Sequence, residues 1–169
     1  HPLQYGRRPM WYFEEGKHGG VINDIAIHGI DVLAYALGLS MDKILAARCW
    51  NKFATAQPGF EDSAQLMLTA QNGAGILADV SYAIPDGVEF GLPWYWQFYV
   101  WGTRGTIRFS LNEERSCYYL AGQKEPILLE ETEVQEDYLT DFYRQSGALT
   151  MDAVFAATRT TLQIQQQAR

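Results

Sequence analysis

The sequence predicts an α+β fold: an open, mostly antiparallel sheet with helices packed on one face. Three observations predict it. Helical spacing of apolar residues occupies Val21 to Leu37 and returns only after Glu133; period-two patterning rich in β-branched and aromatic residues fills the interval; and the strand-like runs are joined by short turn signals suited to hairpins. With 169 residues, 47% of them apolar, the chain is long and apolar enough to bury a real core. No internal repeat, low-complexity tract or linker interrupts it, so residues 1–169 are expected to form one domain.

The elements follow in order. Residues 1–18 mix Gly, Pro, Arg and aromatics without periodicity, which predicts an irregular lead-in that leans on the rest of the fold. Val21, Ile22, Ile25, Ile27, Val32, Leu33, Ala36 and Leu37 fit a helix that Gly38 is placed to stop. The Gly19-Gly20 pair before its first turn permits a close backbone approach and leaves unpaired N–H groups there. "KILAARCWNKFA" and "DSAQLMLTAQ" read as strands, and "NGAG" turns the chain into "ILADVSYAI". "YWQFYVWGT" is apolar on both faces apart from Gln97, which predicts packing on each side, and a tight turn at Gly105 leads into "RGTIRFS". "SCYYLA" and "PILLEE" are two short strands. "EVQEDYLTDFYRQS" is helical, and Thr150 caps a last helix with a stripe of Ala153, Val154, Ala157, Thr161 and Ile164.

Charge and composition exclude several classes of function. A formal net charge of −7 without any Lys/Arg cluster gives no footprint for nucleic acid or an anionic membrane surface. No apolar run reaches the ~20 residues of a membrane span, and "HPLQYGRRPM" lacks the apolar core of a signal peptide, so the expected location is cytoplasmic. Cys49 and Cys117 are too few and too far apart for a disulfide framework or a zinc knuckle, and read as ordinary buried or half-buried thiols. The start at His1 rather than Met suggests a piece of a longer polypeptide. Clustered aromatics, among them Trp94, Tyr95, Trp96, Tyr99 and Trp101, suggest a homo-oligomer formed through the sheet face.

The stretch that invites chemistry is "GGVINDIAIHGIDVL". On a helix Asp24, His28, Asp31 and Tyr35 share a face and form a polar stripe on an otherwise apolar element. A carboxylate one turn from an imidazole can fix its tautomer and suit it to proton transfer near neutral pH. The same residues could instead be structural, with His28 a core histidine satisfied by Asp24 or a backbone carbonyl and with Asp31 paired to an arginine. A metal site is disfavoured because His1 and His18 are the only further histidines. Spacing alone does not decide between the catalytic and structural alternatives.

"RPMWYFEEGKHGGVINDIAIHGIDVLAYALG", Arg8 to Gly38, resembles the start of the C-terminal domain of the glucose-fructose oxidoreductase, inositol dehydrogenase and rhizopine-catabolism (Gfo/Idh/MocA) family. The family shows a Gly-Gly pair, an Asp, a His four residues on and a second Asp three beyond, opening a helix that precedes an open antiparallel sheet. "FGLPWYWQFYVWGTRGTI" is similar to its strand and Gly-Thr-x-Gly turn, and the last helix, opening on "TMDA", to its C-terminal helix.

The resemblance implies the substrate-binding and oligomerisation half of a nicotinamide-dependent oxidoreductase acting on a sugar or polyol hydroxyl. It implies His28 as the proton-transfer residue and Asp24 as its partner or a substrate ligand, with Arg8, Tyr12, His18 and Asp31 near the substrate; Arg7 and Lys17 read as surface residues. A complete member also carries a dinucleotide-binding domain with a G-x-G-x-x-G turn and a Glu-Lys-Pro lysine. Neither is in this sequence, where "GKHGG", "NGAG" and "KEP" do not fit. NAD or NADP is therefore expected in the full-length protein, with none bound tightly by these residues. The alternative is a non-catalytic ligand-binding or assembly module of the same fold.

Overall fold

In the computed structural model, residues 1–113, 115–129, 137–145 and 150–169 are described. Their contacts gather into two compact units, His1–Asp86 with Glu136–Arg169, and Gly87–Gln135. The second unit lies within the sequence of the first, and the strands pair in two separate ladders.

The first unit begins with the lead-in, which contains a short 3₁₀ turn, Met10–Phe13, and bridges back through Pro2 to Ala83 and Ile84. The first helical segment differs from the expected α-helix in its opening turn. Ile22–Ala26 is a π-helix, with the Ile27 N–H reaching back to Ile22 O, and α1, Ile27–Leu37, follows. Apolar periodicity over five residues cannot separate a 3.6-residue turn from a wider one. Gly38, at φ +61°, ends α1 in the left-handed conformation, as expected.

Strands β1 (Met41–Trp50), β2 (Ser63–Ala70) and β3 (Gly75–Ser81) form an antiparallel meander. The β2–β3 turn is the predicted one: Asn72 Oδ1 accepts from the Ala74 N–H, and Gly73 takes φ +86°. Alternation along β2 buries Ala64, Leu66, Leu68 and Ala70. That face joins Val21, Ile22, Ile25, Ala26 and Ile30 from the first helical segment in the core. The connection from β1 to β2 is tied down by buried Asp62, whose carboxylate accepts from the N–H groups of Lys52, Phe53 and Ala54 and from Ser63 Oγ.

The second unit is a meander of β4 (Gln97–Gly102), β5 (Gly105–Ser110), β6 (Cys117–Leu120) and β7 (Ile127–Leu128). Gly105 is needed for a close approach, since a Cβ there would lie 2.2 Å from Tyr119 O. β4 departs from the expectation of packing on both faces: Tyr99 and Trp101 stack on each other at 5.8 Å between centroids, both exposed, Trp101 to 78%.

Two helices close the chain. α2 (Tyr138–Arg144) is capped by Asp137, whose side chain accepts from Leu139 and Thr140; the rest of the predicted helix, Glu133–Glu136 and Ser146, lies outside the described residues. So do Glu130 and Glu131 of "PILLEE". α3 (Met151–Ala168) begins at the predicted cap, with Thr150 Oγ1 accepting from the Ala153 N–H. Its buried row is Ala157, Thr161, Ile164 and Gln165, facing β1, the π turn and α1; Val154, placed in the stripe by spacing, is exposed.

Candidate functional site

The π turn presents Asp24 to a group of aromatic and imidazole side chains. Tyr12, from the 3₁₀ turn, donates its hydroxyl to Asp24 Oδ2 at 2.6 Å. Tyr82, one residue past β3, donates to the same oxygen in a short bond. His18 Nε2 lies 3.5 Å from Oδ2 and 3.0 Å from Tyr82 Oη, and the two phenol oxygens are 2.6 Å apart. The His18 side chain is 7% exposed and that of Asp24 36%, so the carboxylate sits at the edge of the group and the imidazole inside it. Phe60 walls the cluster, its ring 4.7 Å from that of His18 and 5.5 Å from that of Tyr82.

The electrostatics follow from this geometry. Burial opposes the charge on Asp24, but donors from His18, Tyr12 and Tyr82 outweigh it and hold the carboxyl well below its usual range. Burial, then the hydrogen bond to Asp24, pushes the Tyr12 phenol up to about 12; the same causes raise Tyr82 further. Arg8 lies over the Tyr12 ring, 4.6 Å from its centroid, and its guanidinium meets His1 Nε2 at 3.0 Å and Leu3 O at 3.2 Å.

The structure thus brings together Tyr12, His18 and Asp24, with Arg8 against Tyr12. His28 and Asp31 are exposed on α1. His28 is exposed rather than buried, and His18 Nε2 lies beside the Asp24 carboxylate. Sequence reasoning missed Tyr82 and Phe60. The signal for Tyr82 was the alternation of Ile76, Ala78 and Val80, whose inward phase continues one step past the strand end. Phe60 lies in an irregular connection, where no periodicity marks an inward side chain.

The Gly19-Gly20 pair does allow the expected close approach, and its neighbour is α3. A Cβ on Gly20, at φ +98°, would lie 2.2 Å from Gln165 Oε1. That oxygen accepts the Ile22 N–H at 3.2 Å, so one donor of the helix start is satisfied from across the molecule. Gln165 Nε2 donates in turn to Glu61 Oε2 at 2.8 Å. Two outside anchors, one on Ile22 and one on Asp24, therefore bracket the π turn.

This fold and this helix start match a described family: the GFO/IDH/MocA C-terminal domain covers residues 1–108. The chain belongs to that family. Among curated proteins, this GFO/IDH/MocA domain is similar to a D-apiose dehydrogenase of Rhizobium rhizogenes (strain K84 / ATCC BAA-868), 34% identical over 100 residues, which are 59% of this chain and 27% of that protein. Among solved structures, one from Erwinia carotovora atroseptica SCRI1043, assigned as an oxidoreductase, superposes with a TM-score of 0.78 at 25% identity over 97% of this chain and 52% of its own. An oxidoreductase of Agrobacterium radiobacter in complex with NAD+, L-tartaric acid and magnesium shares the fold at TM-score 0.62 and 22% identity, covering 91% of this chain and 48% of that one. The domain spans about a quarter of the curated relative and about half of each solved chain.

Proposed function

We propose that this GFO/IDH/MocA domain is the substrate half of a nicotinamide-dependent oxidoreductase acting on a sugar or polyol hydroxyl. The observation that carries the reading is a carboxylate fixed by three side chains at Asp24, followed one helical turn on by the exposed imidazole of His28. The D-apiose dehydrogenase similarity supports the substrate class, and the NAD+ complex of the Agrobacterium oxidoreductase supports the cofactor class.

Oxidising an alcohol removes a hydride from carbon and a proton from oxygen, and a nicotinamide supplies the hydride acceptor when bound. This chain's described residues do not fit the dinucleotide itself. Every ladder between its named strands is antiparallel, and the Gly19-Gly20 turn follows no strand and has its Ile22 N–H already taken by Gln165. A strand–loop–helix cradle for a pyrophosphate is thus not built from these residues, and NAD or NADP belongs to another part of the complete enzyme. What this domain contributes is the proton side. His28 receives the hydroxyl proton, an imidazole being a base suited to neutral pH, while Asp24 holds the substrate. Tyr12, His18 and Arg8 shape the wall behind Asp24, and Asp31 lies further along the exposed face of α1.

The test joins the domain to a dinucleotide-binding domain of the family and follows nicotinamide absorbance with a panel of sugars and polyols. Turnover is expected, with His28→Ala lowering it about a hundredfold or more while the melting curve stays in place. Full activity in His28→Ala would remove the proton-transfer role. A fusion that binds the dinucleotide yet oxidises nothing in the panel would favour the non-catalytic binding module.

A further inference from the structure

The two oxygens of Asp24 are treated differently by the fold. Tyr12, Tyr82 and His18 all converge on Oδ2. No donor among the described residues reaches Oδ1, and Oδ1 is not one of the buried polar atoms left without a partner. The exposed part of this carboxylate is therefore the oxygen with accepting capacity to spare.

A proton count shows what the surrounding side chains do. Asp24 Oδ2 and the two phenol oxygens form a triangle with three short edges, but the phenols carry only two protons between them. Both can point at the carboxylate only if neither is spent on the other or on His18. That holds when His18 Nε2 carries its proton and donates to Tyr82 Oη, 3.0 Å away. With a bare Nε2, the Tyr82 proton is drawn to the imidazole and Asp24 loses one of its donors. His18 is thus a selector of the hydrogen-bond direction, acting through Tyr82. The other charged and titratable groups around it are His1, whose ring meets that of Tyr82 edge-on at 5.6 Å and whose Nε2 meets Arg8, Arg8 itself over the Tyr12 ring, and His28, one turn on along the same helical segment.

We propose, on the basis of the dehydrogenase reading above, that Tyr12, Tyr82 and His18 are positioning residues: they occupy Oδ2 of Asp24 so that the carboxylate is a fixed anionic acceptor offering Oδ1 to one hydroxyl of a polyol or sugar. Asp24 then binds and orients, and is not the group that carries the proton. A carboxylate kept ionised by two phenol donors beside an imidazole is a weak base, which agrees with the direction in which its titration is displaced. Orientation by a charge-assisted hydrogen bond also needs an acceptor that does not rotate, and two phenol donors on one oxygen, one of them held by His18, oppose rotation.

The experiment uses the whole chain, labelled with carbon-13, and needs no turnover. The Asp24 carboxyl resonance is followed against pH, and sorbitol, xylitol and glucose are added at neutral pH. In the wild type the resonance should stay flat through the usual carboxylate range near 3.8. Tyr82→Phe should bring its midpoint up into that range and weaken probe binding about tenfold, the loss expected for a charge-assisted hydrogen bond whose acceptor is no longer held. His18→Gln, whose amide N–H can replace Nε2–H, should restore what His18→Ala loses. Asp24→Asn should abolish the probe response. Amide spectra establish that each variant is folded, and Tyr12→Phe stands in if Tyr82→Phe is not. An Asp24 resonance that titrates normally in the wild type, a flat response unchanged in every folded variant, or the lack of any response to all three probes would overturn the proposal. Neither readout passes through catalysis, so a failure here is separate from a failure of the fused enzyme to oxidise alcohols.

Discussion

Asp24 and Tyr12 make opposite demands on pH, and together they define a stability window. The carboxyl of Asp24 titrates lower in the folded chain than in the unfolded one, so its contribution is present above its ordinary value of 3.8 and fades as pH falls below it. The phenol of Tyr12 titrates higher when folded, so its contribution is complete below its ordinary 10 and is lost as pH rises through about 12. Urea unfolding across pH should show a plateau bounded by both limbs, with Asp24→Asn flattening the acid limb and Tyr12→Phe the alkaline one. A different buried carboxylate serves the fold alone. Asp62→Ala would strand the N–H groups of Lys52, Phe53 and Ala54, for an expected loss of about 3–5 kcal/mol by urea titration. At this scale the sequence discloses three of the clustered residues, Tyr12, His18 and Asp24, because they lie within one local motif. That His18 lies against Asp24 is a matter of tertiary placement, since it comes from before the helix.

The elements were the most legible level. Alternation and turn chemistry placed all three strands of the first sheet, the Asn72–Gly75 hairpin and the Thr150 cap, since each is decided by residues adjacent in sequence. The opening π turn was not legible. Its anchors are a glutamine in the last helix and a tyrosine beyond the third strand, and nothing local in "VINDIAIH" announces them. The Gly20 contact makes the point testable. Gly20→Ala would force a methyl into Gln165 and would itself be strained at φ +98°, which should lower stability by roughly 2–4 kcal/mol in thermal or urea melts. Trimming the partner with Gln165→Ala in the same chain should recover the steric part of that loss and leave the backbone part.

On the scale of the whole molecule, the α+β class and the family are established, whereas assembly is our reading of an exposed surface. In the second unit Tyr99 and Trp101 stand side by side on β4 with their rings open to solvent. Pairing of that face with a second copy is expected, and sedimentation should find the wild-type chain associated and Trp101→Lys shifted to monomer. A monomeric wild type at high concentration would refute the idea. The division into two ladders could not be read from strand patterning, because alternation shows which side of a strand faces inward but not which strand lies beside it. The link between Gln165 and Ile22, 143 residues apart, has a further consequence for biogenesis. At translation speeds of about 5–20 residues per second, the ribosome has made the first helix on the order of ten seconds before it makes the glutamine that caps it. The turn bearing Asp24 is therefore completed only after α3 has been made, and a nascent chain stalled before α3 would leave that turn open to chaperones and proteases.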